Sequence, residues 1–202
     1  MKPARLVALL GILTVVALTS TAAASPVGAD TITAGGRIGS LRLDRSDRTD
    51  ILAVAGEPQV DEVNSTGYAG WEALGYDCGP MATRAPLVAP AGTRGPYCRT
   101  VYYLNLETGR LGTFFTSLPS FRDAHGVTVG MRTAKAGRLE GVQASAGCLA
   151  GIGVSTPKAL LHVVISGGHI HQHGNKLLLR GGRVGALVLH GRRHDVGVFD
   201  CW

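Results

Sequence analysis

Leu160-Leu161-His162-Val163-Val164-Ile165-Ser166-Gly167-Gly168-His169-Ile170-His171-Gln172-His173 runs into Gly174-Asn175, and Lys176-Leu177-Leu178-Leu179-Arg180 follows. An apolar, β-branched run, two residues that tolerate positive φ, then a second apolar run is the pattern of a hairpin. Gly174-Asn175 suits a type II′ turn. Gly181-Gly182 suits a type I′ turn into a third strand, Arg183 to His190, and Val196 to Trp202 supplies a fourth. Gly167-Gly168 reads as a bulge. The C-terminal part of the chain is therefore expected to be an antiparallel meander.

The same kind of segment occurs earlier. Tyr68 to Tyr76, Arg99 to Glu107 and Arg110 to Thr116 read as strands, the last two joined by Thr108-Gly109. Each sheet follows a short helical pattern. Ser46, Asp47 and Asp50 offer an N-cap and first-turn acids, Ile51, Leu52, Val54 and Ala55 an apolar face, and Gly56 and Pro58 a stop. A weaker helix is expected from about Thr133 to Val142, where Gly137 and Gly141 cost roughly 1 kcal/mol each relative to Ala. The fold class that follows is α+β: two tandem units, each a short helix packed on an antiparallel three- or four-stranded sheet. The first unit spans 37–121 and the second 122–202.

The segment Gly39-Ser40-Leu41-Arg42-Leu43 through Gly56-Glu57-Pro58, and again Val129-Gly130-Met131-Arg132-Thr133, resembles a known helix-opening motif. It is that of the secreted bacterial superfamily of β-lactamase inhibitor protein and the small outer-membrane assembly lipoproteins. The resemblance implies tandem helix-plus-sheet units and a binding role outside the cytoplasm. Asp44 stands where that family usually has Gly, and the family's binding residues have no counterparts here.

The N-terminus points to export. Lys2 and Arg5 precede the almost unbroken apolar run Leu6 to Leu18, and Ala22-Ala23-Ala24 gives small residues before Ser25. Thirteen residues suit a signal-peptide h-region and are too few to span a bilayer of about 30 Å. Residues 1–24 are read as a signal peptide, 25–36 as a flexible mature N-terminus, and the mature protein as secreted, with no membrane span. Four cysteines, Cys78, Cys98, Cys148 and Cys201, in an exported chain read as two disulfides. Pairing 78–98 and 148–201 keeps each bridge within one unit. A loop from Gly79 to Tyr97 containing Pro80, Pro86, Pro90 and Pro96 would be closed by the first bridge and would present Arg84 and Arg94.

Composition excludes several classes. Of 202 residues, 45% are apolar, 17% charged and 29 are Gly, which is no disordered tail, collagen or coiled coil. Aromatics at 5% offer no stacking platform, so no nucleic-acid partner is expected. No phosphate loop, nucleophile elbow, HExxH or EF-hand loop occurs, Gly151-Ile152-Gly153 reads as a turn, and no cofactor is expected.

Charge supplies the candidate site. Removing residues 1–24 lowers the net charge from +6 to +4, and residues 158–202 hold six Lys or Arg, six of the seven His, and only Asp195 and Asp200 as acids. Alternation along a strand puts His169, His171 and His173 on one face. A two-residue turn at Gly174-Asn175 sets His173 opposite Lys176, His171 opposite Leu178 and His169 opposite Arg180. A second turn sets Arg183 opposite Arg180. Ile170, Leu177, Leu179, Val184, Ala186 and Val188 then form the core side.

Three readings of this face stand. It is a solvated cationic surface, an anion-binding site of His169, His171, His173, Lys176, Arg180 and Arg183, or a metal site of the three histidines. Neighbouring positive charge opposes the metal. The reading that follows is a secreted, non-enzymatic binding or structural protein whose partner is an anionic cell-wall polymer or a protein. The alternative is a metal-binding protein or small hydrolase using the C-terminal histidines.

Overall fold

The structure is a computed structural model, and it describes residues 31–64, 70–79, 98–142, 144, 151–174 and 176–192. The signal peptide expected at 1–24, nearly all of the Pro-rich loop with Arg84 and Arg94, Cys148, Cys201 and the strand expected at Val196 to Trp202 lie outside these residues.

Strands β1 (Thr31–Thr33), β2 (Arg37–Ile38) and β3 (Leu41–Arg42) open the fold, followed by helix α1 (Arg48–Ala55). Then come β4 (Val60–Val63), β5 (Trp71–Cys78), β6 (Cys98–Asn105), β7 (Arg110–Thr116) and β8 (Arg122–Asp123). Helix α2 (Thr133–Glu140) precedes β9 (Gly151–Ser155), β10 (Ala159–His173) and β11 (Lys176–Gly191). A small sheet has the order β3-β2-β1-β8 and a seven-stranded sheet the order β4-β5-β6-β7-β11-β10-β9. Every pairing in the larger sheet is antiparallel.

The α+β expectation of two helix-on-sheet units is overturned. The described residues are mostly strand, with two helices of eight residues each. Each helix is about 12 Å long, too short to cover a sheet, and each buries two residues, Ile51 with Ala55 and Thr133 with Ala136. Strand β7 pairs with β11, Leu187 opposite Thr116 through His190 opposite Thr113, so strands from both expected units form one sheet.

One face of that sheet carries the main core, including Leu74, Tyr102, Leu104, Phe114, Leu161, Val163 and Leu187. The helices and the small sheet contribute Ile51, Ala136, Ile32 and Ile38 to the same cluster. A second cluster holds Trp71, Val101, Tyr103, Phe115, Val164 and Val188, whose positions alternate with those of the first. Runs such as Val101-Tyr102-Tyr103-Leu104 are apolar without alternation because both faces are buried.

Helix α1 starts where the sequence places it. The Asp47 side chain accepts from Asp50 N–H and the Asp50 side chain accepts from Asp47 N–H, a reciprocal capping box. Helix α2 stops at Glu140, with Gly141 in the left-handed conformation. Cys78 and Cys98, paired across β5 and β6, form a disulfide. Of the two expected bridges this is the one among the described residues.

The meander is also corrected. Gly181-Gly182 makes no turn: β11 runs through both, and Arg183 pairs with Ser166 rather than facing Arg180. Both glycines have positive φ, and a Cβ on Gly182 would meet the Ser166 carbonyl at 2.6 Å. The pair therefore kinks a continuous strand where its neighbour passes close. A register shift between Val164 and Ile165 separates Val184 from Ala186 and Val188, which fall in different core clusters. The single apolar side expected for this ribbon is thus divided between two faces.

Candidate anion-binding site

The ribbon keeps part of the expected constellation. His169 opposes Arg180, His171 opposes Leu178 and His173 opposes Lys176. Strand β7 covers β11 over Leu187–His190 and β9 covers β10 over Leu160–Val164, so the far end of the ribbon, from Ser166 to Arg183, extends beyond both neighbours. His169, His171 and Arg180 are exposed there. Arg183 leaves the group: its guanidinium donates to the Gly130 carbonyl at 2.8 Å and ties the ribbon to the loop before α2. Ile170, expected on the core side, is 65% exposed, while Leu179 opposite it is buried. Arg183 thus stands apart from His169, His171 and Arg180, and the side chains of His173 and Lys176 lie outside the described ones.

Two other C-terminal histidines are withdrawn from solvent. His162 and His190 are each 2% exposed. Burial, and then the proximity of His190, push the His162 pKa down to about 4. His162 therefore stays neutral in the range where exposed histidines charge.

A second cationic site lies at the opposite end of the ribbon. The turns of the small sheet, the β9–β10 connection and Arg192, just after β11, enclose a cavity of about 480 Å³. Its lining includes Arg37, Arg42, Arg45, Lys158 and Arg192, with Asp44 as its acid. Arg37 and Arg42 are directly opposite in the β2–β3 register, a pairing of like charges that costs stability. The turn after β3 carries Asp44 at φ 58°, with its N–H donated to Leu111 O at 2.8 Å, and delivers Arg45.

The far wall is pinned by Thr156. Its hydroxyl donates to Ala34 O at 2.7 Å, joining the β9–β10 connection to the β1–β2 turn. Arg192 donates through Nε to Thr156 O at 2.9 Å and through Nη2 to the Ser155 hydroxyl. These bonds orient its guanidinium without neutralising it. Among the described residues none of the five cations is in a salt bridge, whereas Arg48, Arg99 and Arg110 each are. The sequence around the far wall cannot supply a partner, since no Asp or Glu occurs between Glu140 and Asp195. Five fixed charges around one concavity favour an anion. Sequence reasoning passes over this site because Arg37, Arg42 and Arg45 fall in a segment read as the lead-in to a helix. Their density in Arg37-Ile38-Gly39-Ser40-Leu41-Arg42-Leu43-Asp44-Arg45 is the signal that could have found them.

The described residues also bring together Asp123, His125 and Glu140, which the sequence did not single out. Asp123 is 2% exposed and the Glu140 side chain 1%, while His125 faces solvent. His125 Nδ1 lies 2.9 Å from Glu140 Oε2. Burial first, and then the neighbouring Asp123, raise the Glu140 pKa to about 7. The hydrogen bond and charge of Glu140 raise that of His125.

No family model matches this chain, and neither a curated protein nor a solved structure matches it.

Proposed function

We propose that this is an exported, non-enzymatic binding protein whose Arg37–Arg42–Arg45–Lys158–Arg192 pocket takes an anionic cell-wall polymer, with phosphate-bearing polymers as the ligand class. The observation that carries this reading is five side-chain cations lining one cavity with no salt-bridge partner among the described residues. Arginine suits phosphate because its planar fork donates two parallel hydrogen bonds. Arginine and lysine hold their charge near neutrality, so the pocket suits holding an anion rather than exchanging protons with it. A volume of about 480 Å³ is in the range of small-ligand sites and admits a few polymer units.

The test is a titration with poly(glycerol phosphate). Binding should weaken with salt, because exposed charges are screened over about 10 Å at 0.1 M. It should be nearly constant from pH 7.5 to 5.5. Arg42→Ala with Arg45→Ala should weaken it at least tenfold, on the scale of about 1.4 kcal/mol per decade. Affinity that is untouched by the double substitution would refute the pocket. Affinity that rises steeply toward pH 5.5 and is lost on His169→Gln with His171→Gln would move the site to the projecting ribbon, roughly 35 Å away at 3.3 Å per residue.

A further inference from the structure

We propose that Asp123, His125 and Glu140 form a binding site for a first-row divalent metal ion, with Zn²⁺ as its probe. One carboxylate oxygen from each acid and one imidazole nitrogen all lie within 4.8 Å of one another. Around a tetrahedral ion with bonds of about 2.0–2.2 Å, neighbouring donors stand roughly 3.3–3.6 Å apart. The 2.9 Å separation of His125 Nδ1 from Glu140 Oε2 and the 4.8 Å upper bound bracket that spacing, so side-chain adjustments of about an ångström close the site.

The second observation is what the carboxylates lack. Asp123 Oδ2 and Glu140 Oε1 are both buried and receive no hydrogen bond from an N–H or hydroxyl donor; the two carboxyl groups lie within hydrogen-bonding reach of each other. The other Asp123 oxygen is fully engaged: Oδ1 accepts from His125 N–H at 2.9 Å and Val127 N–H at 2.7 Å, which fixes the carboxylate and leaves Oδ2 pointed at the cluster. Among the described residues the partner either acid has in an ion pair is His125, on Glu140, and no Lys or Arg pairs with them. Two carboxyl groups facing each other out of water need a proton or a cation between them. A divalent ion can take the place of that proton, and exposed His125 leaves a path from solvent. The donor set of two carboxylates and one imidazole, with no thiolate, suits Zn²⁺ or Mn²⁺ in preference to a soft ion. This site is separate from the cationic pocket and from the ribbon histidines.

The experiment uses chelator-stripped full-length protein carrying His169→Gln, His171→Gln and His173→Gln, so that ribbon histidines cannot contribute. Calorimetric titration with Zn²⁺ should give one ion per chain, and Co²⁺ should give a visible absorption band. Glu140→Gln should reduce Zn²⁺ affinity at least tenfold while leaving the metal-free melting temperature unchanged or raised, since an amide can donate to Asp123 Oδ2. His125→Ala, at an exposed position with little folding cost, should weaken binding similarly. Absence of Zn²⁺ binding in the ribbon-substituted protein, or undiminished affinity in Glu140→Gln and His125→Ala, would overturn the proposal.

Discussion

Acidification should destabilise this protein through a buried histidine whose contribution can be isolated. His162 is 2% exposed, and its pKa falls from 6.5 to about 4 on folding, chiefly through burial. Because the folded value is the lower one, the unfolded chain takes up the proton first. The stabilising term is complete above about pH 6.5, is lost as pH falls toward 4, and changes no further below that. At about 1.4 kcal/mol per pH unit, the loss between pH 7.5 and 4.5 is about 2.5 kcal/mol. Glu140 works in the opposite direction. Its pKa is raised to about 7, so the folded state binds its proton first and gains relative stability as pH falls through that value. The parent's pH profile mixes the two terms. The assay is therefore urea unfolding, followed by circular dichroism in chelator, of the parent and His162→Gln at pH 7.5 and 4.5. The parent should lose about 2.5 kcal/mol more than the variant over that interval. Equal losses would refute the claim that His162 is held neutral by its place in β10.

Two further outcomes concern the sheet. Replacing both Cys78 and Cys98 by Ser should lower stability by about 3 kcal/mol, from the loop entropy of a separation of 20 residues, measured as a shift in urea midpoint. Gly182→Ala should cost at least 2 kcal/mol, because φ is 72° and a Cβ would lie 2.6 Å from Ser166 O. A variant as stable as the parent would refute the positive φ and the close approach of β10 at Gly182.

The local parts of the fold were legible because their determinants are neighbours in sequence. Asp47 and Asp50 cap α1 across one turn. The two-residue spacing between His173 and Lys176 sets the register that puts His169 opposite Arg180. Strand β7 keeps its expected bounds, Arg110 to Thr116. What was hidden is the contact of β7 with β11, since Thr113 and His190 are far apart in the chain and neither carries a mark of the other. Gly181-Gly182 misled for a physical reason. Positive φ at both positions meets the requirement of a type I′ turn, yet the same dihedrals also fit a kinked strand, and only the partner strand decides between them.

The site was less legible for the same reason, acting at longer range. A strand's alternation correctly paired the ribbon histidines with Arg180 but said nothing about which end of the ribbon would gather further charge. Arg37, Arg42 and Arg45 meet Lys158 and Arg192 only because the Thr156 hydroxyl reaches Ala34 O, a hydrogen bond spanning 122 positions. Asp123, His125 and Glu140 are similarly invisible as a group. The first two share a turn, but Glu140 arrives at the end of a helix whose packing, not its sequence, aims the carboxylate at His125. The cations of the pocket have no salt-bridge partner among the described residues, and the acid pair is offset by His125 and by the raised pKa of Glu140, so each cluster is either completed by a ligand or held as it stands. The polyanion and Zn²⁺ titrations separate those two outcomes, since a tolerated charge binds nothing and its removal stabilises the fold.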